Sequence, residues 1–146
     1  MITDALLKVS AAQAVTTSAV STDTIDLSVA RDIGEGENLY MYFNVDEAVT
    51  SATGGSTVEF QVIGSAAADL GTPTVLGSSG AIVKTALVVG KMVAVRINPQ
   101  IASLGLRYVG ANYVASATLT AGKFTAGIVH GVQDGKKSYA SGFTVV

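Results

Sequence analysis

The sequence predicts an all-β fold: a jelly-roll-like antiparallel β-sandwich, built as a single domain with a short N-terminal arm. The main observation is a recurring alternation of apolar and polar side chains, clearest at residues 39–45, 58–62 and 109–119. Successive side chains of a strand point to opposite faces, so each run presents one face to a core and one to water. No segment shows a competing helical period. Long glycine-rich connections favour Greek-key crossing over a simple meander.

The strands follow one another at short intervals. Turn signals recur at spacings of about 8–12 residues, which gives roughly eight or nine short strands. Residues 1–12 are expected to form an N-terminal arm or edge segment, and residues 13–146 the β-sandwich domain. Strands are predicted, in chain order, at residues 25–29, 39–45, 58–62, 74–76, 82–89, 92–97, 109–119, 124–132 and 139–146.

Two of the connections are expected to be hairpins. The run Thr120-Ala121-Gly122-Lys123 separates two alternating arms, so residues 104–132 are predicted to form one long β-hairpin. The runs at 82–89 and 92–97 meet at Gly90-Lys91. That junction predicts a two-residue hairpin turn or, alternatively, one long strand with a glycine bulge.

Composition determines the character of the core. Hydrophobic residues make up 49% of the chain, many of them Ala and Val, while aromatics are 6% and Trp is absent. Two closely packed sheets need small and β-branched side chains of this kind. The largest side chains on the predicted inner faces are expected to share one core: Phe43, Phe60, Tyr113 and Phe124.

Charge and composition argue against several classes of partner. The net charge is −2 and the basic residues are scattered, so the chain lacks the electrostatic footprint of a nucleic-acid-binding protein. Cysteine is absent, which excludes disulfides and thiolate metal sites. The most apolar run, residues 86–95, is interrupted by Gly90 and Lys91 and is too short to span a membrane.

Reactive side chains are few, and the sequence predicts no enzyme, no metal site and no cofactor. His130 is the only histidine and is interpreted as a hydrogen-bonded residue at a strand end. Residues 34–36 (Gly-Glu-Gly) lack the third glycine and the helix of a dinucleotide loop. Asp32, Glu35 and Glu37 offer oxygen ligands for Ca²⁺, but their spacing does not match an EF-hand, and a solvated acidic loop is the preferred interpretation.

Three other charged residues are given structural or solvated roles. Glu59 is interpreted as an exposed residue on the polar face of a strand rather than as half of a glycosidase pair. Arg96 and Arg107 lie near predicted strand ends and are expected to form structural ion pairs.

Candidate contact residues for a partner lie in two places. Tyr40 and Tyr42 fall on the polar face of an otherwise buried strand. They either form an exposed aromatic patch together with Tyr108, or are covered by a loop or help to close the second sheet. Leu6, Leu7 and Val9 give the N-terminal arm an apolar surface. Apolar arms and strand edges are natural docking elements.

The sequence also resembles a known family. The segments that carry the resemblance are LGLRYVGANY at 104–113, LTAGK at 119–123 and FTAGIVH at 124–130, with MITD at 1–4, QAV at 13–15 and YASGF at 139–143. They are similar to the cement (capsid decoration) proteins of tailed bacteriophages, of the Bbp16-like family found on HK97-fold heads of short-tailed phages.

The resemblance implies a jelly-roll structural protein of the virion, without catalysis. Such a protein is assembled in the host cytoplasm and forms a homo-oligomer, a dimer or trimer, on the outer capsid surface. Its partners would be itself and the major capsid protein, whose neighbouring copies it would bridge and stabilise; nucleic acid and membrane are not expected partners. The alternative is a carbohydrate- or host-binding β-sandwich module of the lectin or tail-fibre type, which the absence of Trp disfavours.

The arm suggests how such a protein would attach. With a net charge of −2, attachment is expected to depend on shape and apolar contact and to vary little with salt. Deleting residues 1–9 is expected to leave the β-domain folded and to weaken attachment or oligomerisation.

Overall fold

The computed structural model describes residues 3–33, 36 and 38–132. Within this part of the chain the regular structure is β-strand apart from three short 3₁₀ turns, so the predicted all-β fold is confirmed. The strand expected at residues 139–146 lies outside the described residues. The strands are β1 (Lys8–Ala14), β2 (Ala19–Val20), β3 (Ile25–Asp26), β4 (Tyr40–Thr50), β5 (Thr57–Ser65), β6 (Thr74–Val83), β7 (Met92–Arg96), β8 (Tyr108–Ala115) and β9 (Ala121–Val129).

These strands form two antiparallel sheets packed as a sandwich. One sheet, here called the β4 sheet, has the order β1-β9-β4-β7. The other, the β5 sheet, has the order β2-β8-β5-β6, and β3 also pairs with β8. Because β2 and β3 extend along the same neighbour, they act as one interrupted strand. The connectivity is then that of an eight-stranded jelly roll, in which almost every connection crosses from one sheet to the other.

The long hairpin predicted at residues 104–132 is wrong. Strand β8 pairs with β5 in one sheet and β9 pairs with β4 in the other, so residues 116–120 carry the chain across the sandwich. The crossing is fixed by backbone hydrogen bonds from Leu119 to Thr16 and from Thr120 to Thr50. Alternation specifies which face of a strand is buried, and both arms do bury that face, but it does not specify the neighbouring strand.

The second predicted hairpin is also wrong, for a related reason. Strand β6 ends at Val83, and the chain passes through a 3₁₀ turn at Lys84–Ala86 before β7 begins in the opposite sheet. Gly90 does occupy a turn, with a positive φ of 80°. Leu87, just before it, is fully buried in the core. The apolar character of residues 82–89 therefore reflects a core contact of the connection rather than a continuous strand.

The aromatic side chains meet in the centre of the sandwich, as predicted. Phe43, Phe60, Tyr113 and Phe124 are all fully buried. Their ring centroids are 5.0 Å apart for Phe43–Phe60, 5.1 Å for Phe60–Phe124 and 5.2 Å for Tyr113–Phe124. Aromatic pairs at such distances add about 0.5–1.5 kcal/mol beyond the burial of their area. The pairs join both sheets, because Phe43 and Phe124 belong to the β4 sheet and the other two to the β5 sheet.

The N-terminal segment is part of this sandwich. Val9 and Ser10 of β1 are fully buried, and the hydroxyl group of Ser10 is hydrogen-bonded to that of Tyr113 across the two sheets. The expected boundary between residues 12 and 13 therefore falls inside β1. Deleting residues 1–9 would remove a core side chain, whose burial stabilises the fold by about 1.5–3 kcal/mol. That deletion is not a neutral way to remove an arm.

Candidate interaction surface

The outer face of the β4 sheet carries the two tyrosines singled out in the sequence. Met41 and Phe43 point into the core, so Tyr40 and Tyr42 between and beside them point outward. Cross-strand partners on one face have Cβ atoms about 4.5–5.5 Å apart. The rows that run across β7, β4 and β9 are Arg96–Tyr40–Val129 and Ala94–Tyr42–Gly127.

Tyr42 is covered although it lies on the outer face. Only 4% of its surface is exposed. A Cβ atom at Gly127 would lie 2.9 Å from the Leu7 carbonyl oxygen and 3.0 Å from the Tyr42 ring, so the N-terminal segment and the tyrosine both pack over this glycine. Burial raises the pKa of the Tyr42 hydroxyl, and the negative charge of Asp46 raises it further. Tyr42 is therefore covered by the N-terminal segment and does not form part of an exposed aromatic patch.

The residues before β1 form a fixed turn on this face. The Asp4 carboxylate accepts a hydrogen bond of 2.9 Å from the Leu6 amide, and the Leu7 amide donates to the Asp4 carbonyl at 3.2 Å. A 3₁₀ turn then spans Ala5–Leu7. Capping of this kind satisfies amides that the turn leaves without partners. The turn holds the Leu6 side chain 86% exposed, which is the largest exposure among the described large hydrophobic residues.

The five predicted contact residues are therefore not equivalent. Leu6 and Tyr40 are accessible on the outer face of the β4 sheet, and Leu7 is partly exposed beside them. Val9 and Tyr42 are buried, so neither offers a side-chain surface to a partner of this folded chain. The sequence pattern missed this because it shows the side of the strand but not what covers it.

The two arginines expected to form ion pairs differ. The Arg107 guanidinium binds both carboxylate oxygens of Asp26 at 2.7 Å and lies 5.0 Å from the centroid of the Tyr108 ring. Its hydrogen bonds lower the pKa of Asp26 to about 2. The Arg96 guanidinium forms no ion pair or hydrogen bond within the described part of the chain. The ion pair expected of Arg96 is therefore not formed within those residues, and the pairing of β4 with β7 places Arg96 beside Tyr40.

The outer face of the β5 sheet carries a ladder of polar side chains. The Glu59 carboxylate accepts hydrogen bonds from Ser78 at 2.6 Å and from Gln61 at 2.8 Å, and the Gln61 side-chain oxygen accepts one from Asn112 at 3.0 Å. The first two bonds, Ser78 foremost, lower the pKa of Glu59. Glu59 is thus surrounded by neutral donors rather than by a second carboxylate.

The other candidate groups occupy separate positions. Asp32 accepts a hydrogen bond of 2.8 Å from the Ala102 amide, and Glu35 and Glu37 lie outside the described residues. His130 is exposed directly after β9. Where the structure describes the chain, it contains no group of three or more His, Cys, Asp or Glu side chains arranged to hold a metal ion. It also contains, in those residues, no helix long and apolar enough to cross a membrane.

Comparison with known proteins adds one finding. No curated protein matches this chain. A family model described as Bbp16 matches residues 9–128, which begins at the buried Val9 of β1 and ends within β9. The match covers well over half of the chain and reaches every strand in the described part of it. The chain belongs to the Bbp16 family, a family of bacteriophage proteins.

Proposed function

We propose that this protein is a structural component of a phage virion, which decorates the outer capsid surface and cements neighbouring copies of the major capsid protein. It acts as a homo-oligomer, a dimer or trimer, and is assembled onto heads in the host cytoplasm. Three features support the proposal: membership of a phage family, a jelly-roll fold with a continuous core, and an apolar residue held outward on one face.

The observation that carries the proposal is the exposure of Leu6. A leucine on a loose chain would lose conformational freedom on binding, whereas the Asp4 cap already holds this one in a turn. Full burial of a leucine side chain contributes about 1.5–3 kcal/mol. An oligomer presents this contact once per subunit, and linked contacts raise the overall affinity well above that of a single one.

Attachment of this kind depends weakly on salt. The net charge is only −2, and the salt bridges within the described residues, Arg107–Asp26 and Lys123–Glu47, are internal to the chain. Long-range attraction would therefore contribute little to the encounter with a capsid. Buried apolar area is not screened by ions, so binding should change by less than about threefold between low and moderate salt.

The test is sedimentation of the protein with undecorated phage heads. Leu6→Asp should weaken binding about tenfold or more, because it places a charge in an apolar contact. Leu104→Asp is the matched control: Leu104 is 48% exposed but lies in a different surface turn, at Ala102–Leu104, and this variant should bind like the wild type. Circular dichroism should show that both variants are folded like the wild type. Equal binding by Leu6→Asp, or no binding by the wild type, would contradict the proposal.

A further inference from the structure

Strand β1 forms one edge of the β4 sheet, because it pairs with β9 on one side only. The free side of such a strand presents backbone N–H and C=O groups, which can pair with an extended segment of another chain. After Lys8, the seven-residue strand carries no charged side chain and no proline, the residues that commonly protect an edge. Protection of this edge must therefore come from other parts of the chain.

The connection between β2 and β3 bonds to this edge and joins the two sheets. Its Ser21 is held by β8: the Ser21 amide donates to the Ala111 carbonyl at 2.8 Å, and the Ser21 hydroxyl accepts from the Ala111 amide at 3.0 Å. Two residues later, the Asp23 amide donates a hydrogen bond of 2.9 Å to the Val9 carbonyl of β1. The connection thus occupies the first part of the β1 edge.

Further along β1, a side chain takes the place of a backbone group. The Gln13 side-chain amide donates a hydrogen bond of 2.8 Å to the Val20 carbonyl and accepts one of 3.1 Å from the Thr22 amide. The backbone of a neighbouring strand would offer the same two groups, one donor and one acceptor. Gln13 is half-buried by these contacts, whereas Ala12 and Ala14 on either side of it are exposed.

The opposite side of the sandwich is bridged through the backbone. The Asn98 amide, just beyond β7, donates a hydrogen bond of 3.0 Å to the Leu76 carbonyl of β6. A Cβ atom at Gly77 would lie 2.3 Å from the Arg96 carbonyl oxygen, so β6 approaches β7 this closely because residue 77 is glycine. Contacts between the sheets thus exist on both sides, and those on the β1 side depend in part on a side chain.

We infer that the Gln13 side chain seals the β1 edge, so that this edge does not pair with a second copy of the chain or with an extended partner segment. The inference goes beyond the proposed function and does not depend on it. A contact through Leu6 uses a side chain on the outer face and leaves the seal in place. Without the Gln13 bonds, the β2–β3 connection would be held to β1 near Val9 and would open further along the strand.

The test removes the two hydrogen bonds and measures local opening and association separately. Gln13→Val should increase the hydrogen-exchange rate of the Thr22 amide about five- to tenfold, the effect expected for the loss of one hydrogen bond. Amides in β4 and β5 should remain protected, which shows that the sandwich is intact. In sedimentation velocity, Gln13→Val should form species heavier than those of the wild type, in a proportion that rises with protein concentration.

Two further variants serve as controls. Gln100→Val makes the same substitution at an exposed glutamine in a surface turn, and it should match the wild type in both measurements. Gln13→Glu retains an acceptor for the Thr22 amide and places a charge on the edge. It should therefore exchange more slowly at Thr22 than Gln13→Val and should form no additional species. If Gln13→Val does not fold, Gln13→Ala is measured in its place.

An unchanged exchange rate at Thr22 in Gln13→Val would overturn the inference, because the Gln13 bonds would then not hold the connection in solution. Faster exchange without additional association, or equal association by Gln100→Val, would also overturn it. Failure of the wild type to bind phage heads is a different outcome: it contradicts the proposed function and leaves the sealed edge unaffected.

Discussion

The two outer faces of the sandwich use their polar side chains in opposite ways. On the β5 sheet, Ser78, Glu59, Gln61 and Asn112 bond to one another across three strands. On the β4 sheet such bonds are confined to one half, where Asp46 accepts from Asn44 and Thr125. In the other half, the side chains of Tyr40 and Arg96 form no hydrogen bond within the described chain.

This difference indicates which face is suited to a partner. A group that already has a hydrogen bond gains little from a second molecule, because binding must first break the existing bond. Within the described residues, Tyr40 and Arg96 carry no such cost, and the same face also carries the exposed Leu6. The polar side chains of the β5 face stabilise their own sheet, and the outer β4 face is the one that we propose for a partner.

The largest expected effect lies beneath both faces. Phe60→Ala removes a fully buried ring that contacts Phe43 and Phe124 of the β4 sheet and Tyr113 of the β5 sheet, and such truncations cost about 3–5 kcal/mol. Chemical denaturation should show this loss, and hydrogen exchange should increase on the two sheets alike. Val75→Ala, at a site that is 50% exposed, should change the free energy of unfolding by less than about 0.5 kcal/mol. Protection lost from one sheet alone would show that the faces do not share one core.

An intermediate effect is expected at Gly127, which affects only the β4 face. A methyl group there would meet the Leu7 carbonyl, the Lys8 Cα atom and the Tyr42 ring, so Gly127→Ala should displace the N-terminal turn and cost about 1–3 kcal/mol. The matched control is Gly131→Ala, because nothing lies within 4 Å of a Cβ atom at Gly131. Chemical denaturation measures the loss of stability, and the NMR chemical shift of the Leu6 amide reports the displacement of the N-terminal turn. Identical stability of the two variants would show that the N-terminal turn does not pack against Gly127 in solution.

The smallest expected effect is at Glu59, and it tests whether the polar side chains of the β5 face form their hydrogen bonds in solution. Its pKa is lowered, so the stability that its hydrogen bonds contribute is present above the ordinary value of 4.5 and is lost as the pH falls through the folded-state pKa. The contribution is small because the carboxylate is screened by solvent. An NMR titration should give a pKa below 4.5, and Ser78→Ala should move it upward. A pKa that does not respond to Ser78→Ala would mean that the ladder is not formed in solution.

Sequence reasoning predicted the faces of the strands better than their partners. The positions of Phe43, Phe60, Tyr113 and Phe124 follow from alternation alone, because parity along a strand is a local property. The hairpin prediction at residues 104–132 is wrong because strand pairing is not a local property. Whether the chain turns back or crosses after β8 depends on Thr16 and Thr50, which receive the crossing hydrogen bonds and lie far away in sequence.

The candidate surface shows the same limit. Alternation placed Tyr40 and Tyr42 on one outer face, which is correct, but Tyr42 is buried because Gly127 lets the N-terminal segment pack beside it. Arg96 could have been placed beside Tyr40 only by knowing that β4 and β7 are neighbours in their sheet. Contacts between distant segments decide which outward residues remain accessible, and a local pattern does not contain them.

The crossing connections have a consequence for how the chain folds. Among the described strands, β5 and β6 are the sequential pair that forms a hairpin, while the others pair with strands distant in sequence. Long loops must close before such contacts stabilise the chain, and topologies of this kind fold in about milliseconds to seconds. During that time β4 lacks both neighbours, because β7 and β9 follow it in the chain. A newly made chain would therefore expose unpaired apolar strands until β9 is in place, and the yield of folded protein should fall as its concentration during refolding rises.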